Sequence, residues 1–205
     1  MAKPDKSIDP RILKSAKEEF LKNGFEKASL KIICANADVT TGALYKRYKG
    51  KEELFGAVVQ PTLDDLNVIL ESKRIENRGH LTDEDLIQAW DMDEESMLWW
   101  FDFLYQRKDG FMLLLSCSEG TKYSCFDHDW VEVMTKSTYQ YYLELVNRGI
   151  SHVKLSEKEL HVLLSAFWAT IYEPFIHDFT WNEIVAHSHT VCLLFDWYKV
   201  LGISK

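Results

Sequence analysis

The sequence predicts an all-α protein, with an N-terminal three-helix head followed by a larger helical body. Three observations carry that expectation. Apolar residues recur at three- and four-residue spacing along nearly the whole chain, and no alternating pattern of strand character competes with them. Helix starts are marked by Ser and Thr caps and by Pro in a first turn, and helix ends by Asn and Gly. Charge is divided: residues 1–55 carry 12 basic and 8 acidic side chains, whereas residues 56–205 carry 12 and 24. At 205 residues with 46% apolar content the chain can bury one large core beside a small head, so the division is placed between residues 1–55 and 56–205.

Each element follows in order. Pro10 suits the first turn of a helix whose inner face is Ile12, Leu13, Ala16 and Phe20, and Asn23-Gly24 stops it. Ser29 is placed to cap a second helix that turns Leu30, Ile33 and Ala37 inward. Asp38 falls where the chain must turn, and Asp tolerates the left-handed conformation better than most residues with a Cβ. Thr40 caps a short third helix, with Val39 and Leu44 spaced as a hydrophobic staple. A fourth helix starts near Lys51 and runs to about residue 72, kinked at Pro61, before a polar connection that includes Asn77 and Gly79.

Further on, three sites pair a capping box with a staple: Leu81-Thr82 with Asp85-Leu86, Leu155-Ser156 with Glu159-Leu160, and Phe179-Thr180 with Glu183-Ile184. Between them helices are expected near 93–107, 109–117 and 126–148, the last ended by Asn147-Arg148-Gly149. The final two helices are expected from Ser156 to about His177 and, unbroken, from Thr180 to Leu201.

Helix, tight turn and short helix over residues 29–46 have the layout of a helix-turn-helix, whose second helix enters the DNA major groove. At about 100° per residue, Leu44 and Tyr48 share one side of the short helix, leaving Gly42, Ala43, Tyr45 and Lys46 around the other. Gly42 weakens a helix, and close approach to a nucleic-acid backbone is a reason to keep it. The free N–H groups at the helix start, beside Thr40 and Thr41, suit a phosphate.

From Phe20 through Gly24-Phe25, Ser29, Ile33, Ala37, Val39, Gly42, Leu44-Tyr45, Tyr48, Lys51 and Leu54, the spacing resembles the TetR family of transcriptional regulators. The resemblance covers residues 10–55, with Asp38 standing where the family usually has Gly and Tyr48 where Phe is common. It implies that Ser29, Thr40, Tyr45 and Lys51 hold phosphates, while Thr41, Ala43 and Lys46 face base edges. Physics agrees with the division: hydroxyls and amides position the protein, Lys46 can donate to guanine, and the Ala43 methyl can meet a thymine methyl. Tyr45 also has a reading as an aromatic brace on the first helix, and Lys51 as a solvated lysine at a helix start.

In the body, the last two helices are apolar over more than one narrow stripe, so each can cover its own core and something else. The resemblance implies that the something else is a second copy, in a four-helix bundle; a wide intramolecular core is the alternative. Val162, Ala166, Ala169, Val191, Phe195 and Tyr198 are the expected interface residues. All seven tryptophans lie beyond residue 55. A ligand cavity is implied among the middle helices, with candidate walls at Trp99, Phe103, Met112, Phe126, Trp130, Met134, Phe167, Trp168 and Tyr172. These suit a largely apolar or aromatic molecule, and Asp102 or Glu173 beside them would suit a lipophilic cation.

Other chemistry is weakly represented. Cys34, Cys117, Cys125 and Cys192 lack CxxC spacing and read as reduced thiols. His187 and His189 fall on opposite faces of a helix, which is poor ligand spacing, and no catalytic motif is present. No apolar run approaches a membrane span, and the N-terminal MAKPDKSIDP lacks a signal-peptide core. The expectation is therefore a cytoplasmic, non-enzymatic regulator without cofactor or metal. It binds a double-stranded DNA operator as a homodimer, represses, and is released by a small-molecule effector acting through the fourth helix. A DNA-binding regulator or architectural protein controlled by a protein partner is the alternative.

Overall fold

The computed structural model describes residues 8–74 and 81–203, and the connection holding Asn77 and Gly79 lies outside them. Among the described residues all regular structure is helical. The elements are α1 (Ile8–Lys27), α2 (Leu30–Asn36), α3 (Thr41–Tyr45), α4 (Lys51–Lys73), α5 (Asp83–Gln88) and α6 (Glu94–Tyr105), then α7 (Lys108–Ser116), α8 (Phe126–Asn147), α9 (Glu157–Ile176), α10 (Trp181–Leu194) and α11 (Trp197–Leu201). They form two packing units, residues 8–66 with 107–126 and residues 67–106 with 127–203.

The first unit is the head together with α7 and the loop after it. Ile12, Ala16, Phe20, Ile33, Leu44, Leu54 and Phe55 are fully buried in it, and the rings of Phe20, Phe25 and Phe55 meet at 5.0–6.1 Å. Gly24 (φ 70°, ψ 166°) interrupts α1 at the expected Asn23-Gly24 stop. The freed Phe25 N–H then donates to the Cys117 carbonyl at 2.8 Å. α7 is held by ion pairs from Lys17 to Asp109 and from Arg107 to Asp65, each 2.6 Å. Gly110 lets it approach α4, since a Cβ there would sit 2.0 Å from Thr62 Oγ1. The sequence division at residue 55 assigns this segment to the body by position; packing groups it with the head.

In the second unit all three expected capping boxes form, at Thr82–Asp85, Ser156–Glu159 and Thr180–Glu183. In the last two, the N-cap backbone N–H donates to a glutamate and holds its carboxyl below the usual range. α8 and α9 end alike, with Gly149 (φ 71°) and Asp178 (φ 52°) left-handed and the next N–H donating back, Ile150 to Leu145 and Phe179 to Pro174. Phe101, Trp168 and Phe175 are the largest fully buried side chains here. The unbroken helix expected from Thr180 to Leu201 is corrected: it breaks at Phe195-Asp196, where Phe195 leaves helical geometry (ψ 80°). Asp196 then caps α11 by accepting the Lys199 N–H. The break lets Trp197 turn inward onto Phe167 and Trp90.

Candidate nucleic-acid interface and ligand cavity

The α2–α3 turn is made by local chemistry. Ser29 Oγ accepts the Ile32 N–H at the start of α2. At its end the Asp38 N–H donates to Ala35 and the Val39 N–H to Cys34, closing a Schellman turn with Asp38 left-handed (φ 52°). Thr40 Oγ1 accepts the Ala43 N–H at 3.1 Å and starts α3. Fully buried Leu44 pins α3 to the head, and half-buried Tyr48 follows on the same side.

What remains outward is the expected surface. Thr41, Gly42, Tyr45 and Lys46 are exposed and Ala43 is half-buried. Tyr45, at 53% exposure, stands off the head rather than bracing it. Among the described residues Lys46 forms no ion pair, whereas its neighbour Arg47 pairs with Asp9 and donates to the Ala43 carbonyl. Ser29 and Thr40 use one acceptor position each on the caps, which leaves their hydroxyl hydrogens for a phosphate. Lys51 is more committed: its ammonium donates to the Glu26 and Ala28 carbonyls at 2.8 and 3.2 Å and lies 4.7 Å from the centre of the Phe25 ring. Two of its three hydrogens therefore finish the end of α1, and one is left for a phosphate.

Within the second unit lies a cavity of about 140 Å³. Met134, Phe167 and Trp168 of the expected walls line it, joined by Trp90, Trp100 and Trp197 and by aliphatic groups of Ile69, Leu164 and Ile171. Trp130 and Tyr172 stand one row back, packed on Trp168 at 5.9 and 6.1 Å. Trp99 is half exposed and stacks on Phe103, facing a neighbouring cleft with Asp91 and Glu95. Met112 and Phe126 belong to the first unit, where Phe126 meets Phe111 edge to face. Those six do not line this cavity, because helix facing decides what spacing leaves open. Asp102 and Glu173 are also absent from it, being bonded instead to Gln106 and His177, so the carboxylate for a cation is missing.

The expected interface residues divide likewise. On α9, Val162 is 65% exposed, with Ala166 exposed and Ala169 half-buried. On α10 the large apolar residues left in the open are Leu193 (73%) and Leu194 (67%). Val191 is corrected out of this face: it is 1% exposed and shares the inward side with Ile184 and Ser188. Phe195 packs on Phe167 at 5.2 Å, and Tyr198 is half-buried.

The remaining titratable groups read simply. Cys34, Cys117 and Cys192 have thiols pushed up chiefly by burial, so they stay protonated at neutral pH. His187 donates Nε2–H to the Thr170 carbonyl while His189 faces Glu94, well apart in direction. No group of three metal-ligating side chains occurs among the described residues, and no described helix is long and apolar enough to cross a membrane.

Comparison with known proteins bears on both units. Residues 12–58 match the family model for bacterial regulatory proteins of the tetR family. Over 49 residues the chain is 43% identical to the HTH-type transcriptional regulator UidR of Escherichia coli K12, a match spanning 24% of this chain and 25% of that one. A bacterial regulatory protein in the tetR family from Rhodococcus RHA1 aligns over 98% of this chain and 100% of its own, with a TM-score of 0.62 and 15% identity. The transcriptional regulator FadR from Bacillus subtilis, solved with stearoyl-CoA, aligns over 90% and 96% with a TM-score of 0.58 and 15% identity. At such identities the structures speak for the fold, and the fold is theirs throughout. Residues 12–58 of this chain are thus similar in sequence to the DNA-binding head of bacterial regulatory proteins of the tetR family.

Proposed function

We propose that the protein is a DNA-binding transcriptional regulator that represses from a near-palindromic operator as a homodimer and is released by a small molecule. The observation that supports it most is the outward face of α3, where Thr41, Gly42, Tyr45 and Lys46 are presented by a capped, pinned helix. Lys46 and Ala43 would read base edges while Ser29, Thr40, Tyr45 and the last hydrogen of Lys51 hold phosphates. Val162, Ala166, Leu193 and Leu194 offer an apolar face of the kind a second copy would cover. The excess of acidic groups beyond residue 55 would keep the body off the DNA and leave docking to the head.

The coupling follows the chain. α4 runs through residues of both packing units, and the segment at 107–126 leaves the second unit and returns to it. A ligand bound in the second unit can thus bias α4 and, through it, the spacing of two recognition helices. It need only supply a few kcal/mol of differential affinity. Footprinting on the DNA flanking the coding region, across a salt series, tests the reading. Protection of a near-palindrome with steep salt dependence is expected. Folded, dimeric protein that selects no sequence from a genomic library would contradict it.

A further inference from the structure

Resting on the DNA-binding reading above, we propose that Arg47 is a positioning residue for DNA recognition. It holds the end of α3 against Asp9 of α1 and so fixes the direction in which Tyr45 and Lys46 face. α3 has only five residues, too few for an isolated helix, so its orientation comes from what grips it. Its start is gripped by the Thr40 cap and by a hydrogen bond between the Thr41 and Cys34 side chains. Its middle is gripped by fully buried Leu44, a single apolar contact about which a short helix can still roll. The guanidinium of Arg47 grips the end.

The backbone shows why that grip is needed. In a continuing α-helix the Arg47 N–H would donate to the Ala43 carbonyl. Here it donates to Leu44 at 2.9 Å, as the helix closes in a tighter turn. The Ala43 carbonyl instead accepts the Arg47 guanidinium at 3.2 Å. The Nε–H of the same group donates to the Asp9 carboxylate, in the first turn of α1. The planar guanidinium makes both bonds as one rigid unit, which a lysine ammonium on its flexible stem does not reproduce. Its side chain is 20% exposed, so it is turned into the head, whereas Lys46 beside it is open. Tyr45 and Lys46 lie between the two clamped residues, Ala43 and Arg47, and a roll of α3 would redirect both together.

A direct phosphate contact by Arg47 predicts the opposite response to removing Asp9. Asp9 would then compete with phosphate for the guanidinium. Asp9→Asn, which also removes a negative charge from the head, would tighten operator binding. Positioning predicts that Asp9→Asn weakens it, by about fivefold for each head at fixed salt, and flattens the preference at the base pair read by Lys46. Asp9 also favours the start of α1 through the helix dipole, an effect that does not depend on Arg47. In an Arg47→Ala background, Asp9→Asn should therefore cause no further weakening. Tighter binding by Asp9→Asn, or an equal loss in both backgrounds, overturns the proposal.

The DNA-free protein gives a separate reading. Amide exchange at Lys46 and Tyr48, which donate to Gly42 and Leu44, should speed up about fivefold in Asp9→Asn. If it does, and the unaltered protein selects no DNA sequence, the clamp stands and the DNA-binding reading falls. Unchanged exchange with unchanged operator affinity overturns the clamp and leaves the DNA-binding reading in place.

Discussion

The α2–α3 segment and the α9–α11 segment are both built from capped helices with one apolar side, yet they became legible by different routes. In the first, every decision is made within five residues. Ser29 caps, Asp38 turns, Thr40 caps again, and Leu44 points inward because α3 is too short to present more than one apolar side. In the second, caps set where helices begin, while which side faces inward is decided by elements far away in the chain. Local polar chemistry thus specifies a surface, and tertiary packing specifies a cavity or an interface.

The sharpest way to break that comparison is at the open face of α9 and α10. Replacing Leu193 and Leu194 by Glu should leave the fold intact, since both side chains are mostly exposed, and should yield monomers by sedimentation. Loss of paired binding should then lower operator affinity by roughly 10²–10⁴-fold. Unchanged dimers would mean that this face is covered by something else.

The head has one part that is not local, and Gly110 exposes it. Gly110→Ala would drive a Cβ to 2.0 Å from Thr62 Oγ1, so α7 must shift or Thr62 must change rotamer. A loss of about 1–3 kcal/mol in denaturant unfolding is expected. No loss would mean that α7 is only loosely attached to the head.

The stop at Asn23-Gly24, the caps Ser29 and Thr40 and the turn at Asp38 were readable, as were the three capping boxes and the end of α8. The packing of α7 against α1 and α4 was not, because Gly110 and Asp109 carry no signal until their partners Thr62 and Lys17 are placed beside them. The cavity was readable only as a wealth of aromatics. Trp197 was hidden by an assumed continuous helix, although Asp196, three residues before Lys199, is a cap in plain view.

The capping boxes allow a finer test. Thr180→Ala should cost about 1 kcal/mol. Glu159 and Glu183 have carboxyls lowered in the folded state, chiefly by backbone N–H donors at Ser156 and Thr180. Their contribution is therefore complete above the unfolded glutamate value of about 4.3 and is lost as pH falls through the lower folded value. Replacing both by Gln should lower the melting temperature at neutral pH, and the difference should shrink as the pH falls below the unfolded glutamate value and through the lower folded one. A difference that persists in acid would show that the charged bonds are not its source.

The smallest effect is expected at Asp38, left-handed at φ 52° and paired with Arg11 only at 3.8 Å in the open. Asp38→Gly should stabilise the head by up to about 1 kcal/mol, and Asp38→Val should destabilise it by more than that. Melting curves of the two variants give the sign directly.

α3 is the element proposed to read DNA, and competition binding of Lys46→Ala measures that directly. Against a footprinted operator at fixed salt, the variant should bind about tenfold or more weakly and should lose its preference at one base pair in each half-site. Affinity and base preference both equal to those of the unaltered protein would mean that α3 does not read DNA.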